Sequence, residues 1–62
     1  MTPQQIKQAL EAIHKILEII EQDPGFQAIA TDERADPEIA SDMGDALHYV
    51  SELASKMEDF QT

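Results

Sequence analysis

Apolar residues recur at alternating steps of four and three over residues 39–60 of this 62-residue chain. This spacing keeps one face of an α-helix apolar, and its persistence is typical of helices that pack lengthwise against other helices. The same alternation runs over residues 6–20, so the sequence predicts two amphipathic helices. The two apolar seams consist of Ile6, Leu10, Ile13, Leu17 and Ile20, and of Ile39, Met43, Ala46, Val50, Leu53, Met57 and Phe60.

Local capping signals predict where the first helix lies. Thr2 can cap the free amides of a helix start, Pro3 suits the first turn, and Gln5 completes a capping box. The first helix is therefore predicted at residues 3–22.

The sequence after this helix predicts a connector and a second helix. Asp23-Pro24-Gly25 is expected to form a break, because the residue before a proline avoids helical geometry and glycine favours a turn. Asp36 is the expected cap of the second helix, predicted at residues 37–60. The connector, residues 23–36, is longer than most links between antiparallel helices and has room for a short helix.

Size and composition predict that this chain associates with another. A chain this short buries only about 60% of the surface it exposes when unfolded. It has no Cys, which excludes disulfides and thiolate zinc sites. The remaining common device is association. We expect one all-α domain, an antiparallel helical hairpin with a short helical connector, pairing into a four-helix bundle as a homodimer.

The apolar faces are wider than a contact between two helices requires. Ala9, Ile16 and Ile19 widen the first face, and Leu47 and Ala54 widen the second. Pairing of two hairpins would cover this excess, and otherwise it would be a site for a partner.

The charge balance limits the partners. Thirteen acidic and four basic residues give a formal net charge of −9. Direct binding to nucleic acid needs Lys and Arg at the phosphates, so neither nucleic acid nor an anionic membrane is an expected partner. The first residues lack the pattern of a signal peptide and no stretch has the ~20 apolar residues of a membrane span, so a cytoplasmic location is expected.

Two carboxylate–imidazole pairs raise the question of a metal site. Glu11 and His14, like Asp45 and His48, are three residues apart, as in the ligand motifs of dimetal helical bundles. Counting about 100° per residue, however, these side chains lie away from the seams that would surround a central metal. No cofactor is expected, and a surface metal site that uses His14 remains a remote alternative.

Ordinary ion pairs account for the same charged residues. Glu11 precedes Lys15 by four residues and Glu52 precedes Lys56 by four, a spacing that favours surface pairs on a helix.

Chemistry for catalysis is sparse, so no enzymatic activity is predicted. There is no Cys nucleophile, and the Ser residues of the second helix have no evident His–Asp partners. We expect instead a small acidic interaction module, an adaptor, regulator or immunity-type binder, that meets itself and a further protein partner. The alternative is an acidic mimic of nucleic acid that inhibits a DNA- or RNA-binding protein. The candidate partner-binding residues are Ile16, Ile19, Leu47 and Tyr49 for the module, and Glu38, Asp42 and Asp45 for the mimic.

Overall fold

The computed structural model describes residues 1–60, and this part of the chain is helical with no strand, which confirms the all-α prediction. The elements are α1 (Pro3–Gln22), α2 (Pro24–Ala30), α3 (Ile39–Met57) and a 3₁₀ turn (Glu58–Phe60).

The start of α1 is a complete capping box. The backbone N–H of Gln5 donates to Thr2 Oγ1 at 3.1 Å, and the backbone N–H of Thr2 donates to Gln5 Oε1 at 2.9 Å. Two amides that the helix itself cannot satisfy are thereby paired, an arrangement that stabilises a helix by about 1 kcal/mol. The bounds of α1 coincide with the range 3–22 expected from the sequence.

Asp23 is the single non-helical residue between α1 and α2. Its backbone N–H donates to the carbonyl of Ile20 at 3.0 Å, and its carboxylate accepts from the backbone N–H of Phe26 at 3.1 Å. The prediction of a turn at 23–25 was therefore wrong for Gly25, which lies inside α2 without a positive φ. The extended backbone of Asp23 alone changes the chain direction, so no left-handed residue is needed.

The second long helix begins two residues later than expected. Asp36 lies two residues before Glu38, the cap position of α3, and its carboxylate accepts from the backbone N–H of Glu38 at 2.8 Å, which holds a turn ahead of the helix. Asp side chains often bond two residues along in this way, in competition with helix capping. Glu38 occupies the cap position of α3 and its side chain makes no capping hydrogen bond.

α1 and α3 pack side by side in opposite directions. Lys7 Nζ, near the start of α1, lies 2.7 Å from Glu58 Oε1, which directly follows α3. The result is a helical hairpin, as predicted, with principal extents of 49 × 17 × 14 Å.

Packing between the two helices leaves almost nothing fully buried. Among the described residues Ala54 alone is a buried hydrophobic residue, at 6% exposure. Leu10, Leu17 and Val50 are half-buried, so one part of each seam faces the other helix.

Four residues of the two seams are not covered by the contact between α1 and α3. Ile13, Ile20, Leu53 and Phe60 belong to the seams and remain exposed. Each helix has only one long neighbour, which covers a narrower arc than the apolar residues occupy. Ala54, the one buried hydrophobic residue among those described, belongs to α3.

Candidate functional site

Large apolar side chains are exposed along both long helices. Among them Ile16 is 57% exposed, Tyr49 66% and Phe60 70%. We use the term apolar face for the exposed set Ile13, Ile16, Ile20, Tyr49, Leu53 and Phe60.

The geometry of an antiparallel pair places Ile16 and Tyr49 on one side of the hairpin. Lys7 and Glu58 meet across the helices and therefore mark one level and one side. Ile16 lies nine residues after Lys7, and Tyr49 lies nine residues before Glu58. Nine residues are about two and a half turns. Ile16 and Tyr49 are thus at a common level, on the side opposite the Lys7–Glu58 ion pair.

The total surface of the chain is large for its mass. Its accessible area is 4755 Å². A compact monomer of this mass exposes only about 4,000 Å² by the usual scaling, so the excess is about 750 Å². The chain is therefore less compact than a typical monomer of its mass.

The predicted module residues do not form one patch. Ile16 and Tyr49 lie in the apolar face, and Ile19, also exposed, lies beside it on the outer edge of α1. Leu47 is half-buried, and its helical position places it on the other side of the α1–α3 contact. Leu53 is exposed, although its heptad position places it in the apolar seam of the second helix.

The predicted mimic residues lie at and just before the start of α3. Glu38, Asp42 and Asp45 are all exposed, and none of them makes an ion pair within residues 1–60. Asp42 and Asp45 are neighbours on one edge of α3, next to the apolar face.

The side of the hairpin opposite the apolar face carries the Lys7–Glu58 ion pair, which joins the start of α1 to the residue that follows α3. A side-chain hydrogen bond with Glu58, reinforced by its charge, raises the pKa of Lys7. The same hydrogen bond and charge lower the pKa of Glu58. Lys7 also lies 3.5 Å from Glu11, so Glu11 pairs backwards with Lys7 and the predicted pair with Lys15 does not form.

Arg34 and Asp32 order the connector between α2 and α3. Arg34 Nε and Nη2 donate to the two carboxylate oxygens of Asp32 at 3.2 and 2.9 Å, and the backbone N–H of Arg34 donates to Asp32 Oδ1 at 2.8 Å. The side-chain hydrogen bonds from Arg34, followed by the backbone one, lower the pKa of Asp32. This turn brings the chain from α2 back to α3.

Each of the two His residues pairs with a Glu four residues later on the same helix. His14 Nδ1 lies 2.8 Å from Glu18 Oε1, and His48 Nε2 lies 3.4 Å from Glu52 Oε2. Glu52 also pairs with Lys56 at 3.5 Å, as predicted. No group of three or more His, Asp or Glu residues in positions 1–60 is arranged to hold a metal ion.

A shallow apolar pocket of about 290 Å³ is lined by residues of α1, α2 and α3 and by Thr31, which follows α2. Its apolar lining residues are Phe26, Ala30, Ala40 and Met43, and Glu21 is the one charged residue in the lining.

The comparisons with known proteins give no family: no family model, no curated protein and no solved structure matches this chain. Over residues 1–60, every helix is too short or too polar to cross a membrane.

Proposed function

We propose that this chain is a small acidic, non-enzymatic protein–protein interaction module in the form of a homodimeric four-helix bundle. The observation that carries the proposal is the apolar face, which a single hairpin leaves in water. Burial of apolar surface is the main favourable term in association, and large apolar side chains exposed together on one side of a protein are typical of an interaction site.

The bundle has flanks through which it would meet a further protein. Ile19 is exposed on the outer edge of α1, beside the apolar face. An adaptor, regulator or immunity-type binder would use such edges, because the residues of the apolar face are covered in the dimer.

Solution mass tests the proposal directly. Sedimentation equilibrium at micromolar concentration should give twice the chain mass of 6.9 kDa. A mass of one chain over the whole accessible concentration range would refute the homodimer and leave the apolar face free for a different protein.

A second candidate function, mimicry of a nucleic-acid backbone, is favoured by the unpaired carboxylates. Glu38, Asp42 and Asp45 are exposed without a neutralising cation among the described residues, so their field acts on the solvent and on any basic partner. A mimic would bind a basic protein quickly and with strong salt dependence.

Charge removal separates these two functions once a partner is in hand. The triple variant Glu38→Gln, Asp42→Asn, Asp45→Asn should abolish the salt dependence of binding for a mimic, whereas Ile19→Ser should weaken binding by an adaptor. A control with the same change in charge elsewhere is Glu18→Gln, Glu21→Gln, Glu33→Gln. Unchanged affinity and unchanged salt slope in the first variant would rule out mimicry.

A further inference from the structure

We propose that the shallow pocket lined by α1, α2 and α3 binds a small organic cation. The ligand is an amine whose apolar body fills the pocket and whose ammonium group meets the carboxylate of Glu21. We use the term three-helix pocket for this site.

The apolar lining of the three-helix pocket determines the size and nature of the ligand body. Phe26 and Ala30 come from α2, and Ala40 and Met43 come from α3. The volume of about 290 Å³ is at the lower end for small-molecule sites. At the packing density of a protein interior such a volume holds about ten non-hydrogen atoms. The Phe26 ring and the flexible Met43 side chain suit an aromatic or branched hydrocarbon group of that size.

The polar lining is better suited to accept hydrogen bonds than to donate them. Gln27 Nε2 donates to the backbone carbonyl of Glu21 at 3.4 Å, and Thr31 Oγ1 donates to the backbone carbonyl of Gln27 at 2.8 Å. These bonds engage the amide nitrogen and the hydroxyl hydrogen, and they leave Gln27 Oε1, Thr31 Oγ1 and the Glu21 carboxylate as acceptors. An ammonium group, which carries only donors, matches these acceptors.

Glu21 supplies the charge of the lining. It follows Leu17 by four residues, so it lies on the face of α1 that packs on α3, where it is half-buried. It forms no ion pair with any of residues 1–60. Partial burial takes water away from a carboxylate, so a cation bound beside Glu21 gains a charge-assisted hydrogen bond and an anion is repelled.

The net charge of the chain favours the same class of ligand. The formal charge of −9 raises the concentration of small cations near the protein surface and lowers that of anions. This long-range effect is screened beyond about 10 Å at 0.1 M salt, so the contact with Glu21 provides the specific part of the attraction.

The three-helix pocket is separate from the apolar face. Ala40 lies nine residues before Tyr49, which is about two and a half helical turns, so the two residues are on opposite sides of α3. A partner that covers Tyr49 therefore leaves Ala40 accessible. The inference does not depend on the proposed homodimer, and either can fail without the other.

Methionine methyl signals in NMR report binding at the proposed position. Met43 lines the three-helix pocket, whereas Met57 is at the other end of α3 and Met1 precedes α1. The probe is 2-phenylethylammonium, added at neutral pH and constant ionic strength. The Met43 signal should shift and saturate with a dissociation constant of about 1 mM, as expected for a ligand this small. The signals of Met1 and Met57 should stay in place.

Two further probes and one substitution test the role of charge. The uncharged isostere 2-phenylethanol should bind about tenfold more weakly, because it cannot form the charge-assisted hydrogen bond with Glu21. The anion 3-phenylpropionate should give no saturable shift. Glu21→Gln should weaken binding of the ammonium probe about tenfold and leave binding of the alcohol unchanged. Asp45→Asn, which removes the same charge from an exposed residue outside the lining, should change neither.

A substitution that fills the three-helix pocket tests its position. Ala40→Leu places a larger side chain in the lining and should abolish the shifts caused by both the ammonium probe and the alcohol. The matched control is Ala12→Leu, because Ala12 is exposed on α1 outside the lining. Circular dichroism checks the helicity of each variant.

Absence of a saturable Met43 shift up to about 10 mM probe, ten times the expected dissociation constant, would overturn the inference. Equal shifts of all three methionine signals would show non-specific binding and would overturn it as well. Equal affinities for the ammonium probe and the alcohol, or an unchanged affinity in Glu21→Gln, would refute the assignment to cations. Binding that survives Ala40→Leu would refute the position. The sedimentation mass tests the homodimer separately from all of these results.

Discussion

Replacement of Gly44 by alanine should stabilise the protein by about 1 kcal/mol. Gly44 lies inside α3, and a Cβ built there meets no atom within 4 Å. Glycine in the interior of a helix costs roughly 0.8–1 kcal/mol relative to alanine, because the unfolded chain loses more backbone freedom. For a chain of this size that difference raises the melting temperature by about 4–8 °C. Thermal unfolding followed by circular dichroism at a fixed chain concentration measures it.

Gly25→Ala provides the matched control. A Cβ at Gly25 would lie 2.9 Å from Asp23 Oδ2, the oxygen that caps α2. The gain in helix propensity is then offset by a displaced cap, so the melting temperature should stay level or fall.

A lower melting temperature for Gly44→Ala would refute the reasoning about the interface. Gly44 lies on the side of α3 away from the apolar face, and the hairpin itself leaves space for the methyl group. A destabilising methyl group would have to collide with a second chain. The dimer contact would then lie at Gly44.

Three further predictions concern the helix start, the dimer and the ion pair between the hairpin ends. Thr2→Ala removes half of the capping box and should destabilise the protein by about 1 kcal/mol, and an unchanged melting temperature would contradict this. Ile16→Asp should reduce the mass in sedimentation from two chains to one, whereas Ser51→Asp on the opposite side should leave two. Because Lys7 lowers the pKa of Glu58, the pair stabilises the protein above the ordinary pKa of a glutamate and this contribution is lost as the pH falls below it. Glu58→Gln should therefore have a lower melting temperature at neutral pH and lose less of it on acidification, as a pH series of melting curves would measure.

The end of a helix could be predicted from the sequence where its capping hydrogen bonds join nearby residues and the same side chains have no other favourable hydrogen-bonding arrangement. The capping box joins Thr2 to Gln5, three residues away, so the sequence contains everything needed to form it. Asp36 was less predictable because an aspartate can either cap a helix or hold a turn two residues along, and the Pro that follows it suits both. The position of Gly25 within α2 could not be anticipated, since either a turn or a helix start is compatible with Asp-Pro-Gly.

The candidate site was predictable only in part, because the pattern of apolar residues does not specify what covers each of them. The width of the apolar arc indicated that Ile16 and Tyr49 lie outside the hairpin contact, and the structure leaves both exposed. Leu53, a residue of the predicted seam, is exposed, and Leu47, a candidate partner-binding residue, is half-buried. Which part of each seam faces the other helix depends on how α1 and α3 pack together, and this is a property of the pair that neither heptad pattern contains.

Salt should affect self-association and acidic mimicry in opposite directions. Each chain carries a formal charge of −9, so two copies repel and added salt should tighten the dimer. Binding of the acidic edge to a basic partner should weaken under the same change. The size of the first effect also depends on the pairing. The Debye length is about 10 Å at 0.1 M salt, so only charges close to the interface contribute strongly. An interface that keeps the residues Asp42 and Asp45 of the two copies apart therefore tightens only weakly as salt is added. An interface that brings these carboxylates together tightens steeply, so the dependence of the dimer dissociation constant on salt measures how close the acidic residues of the two copies lie.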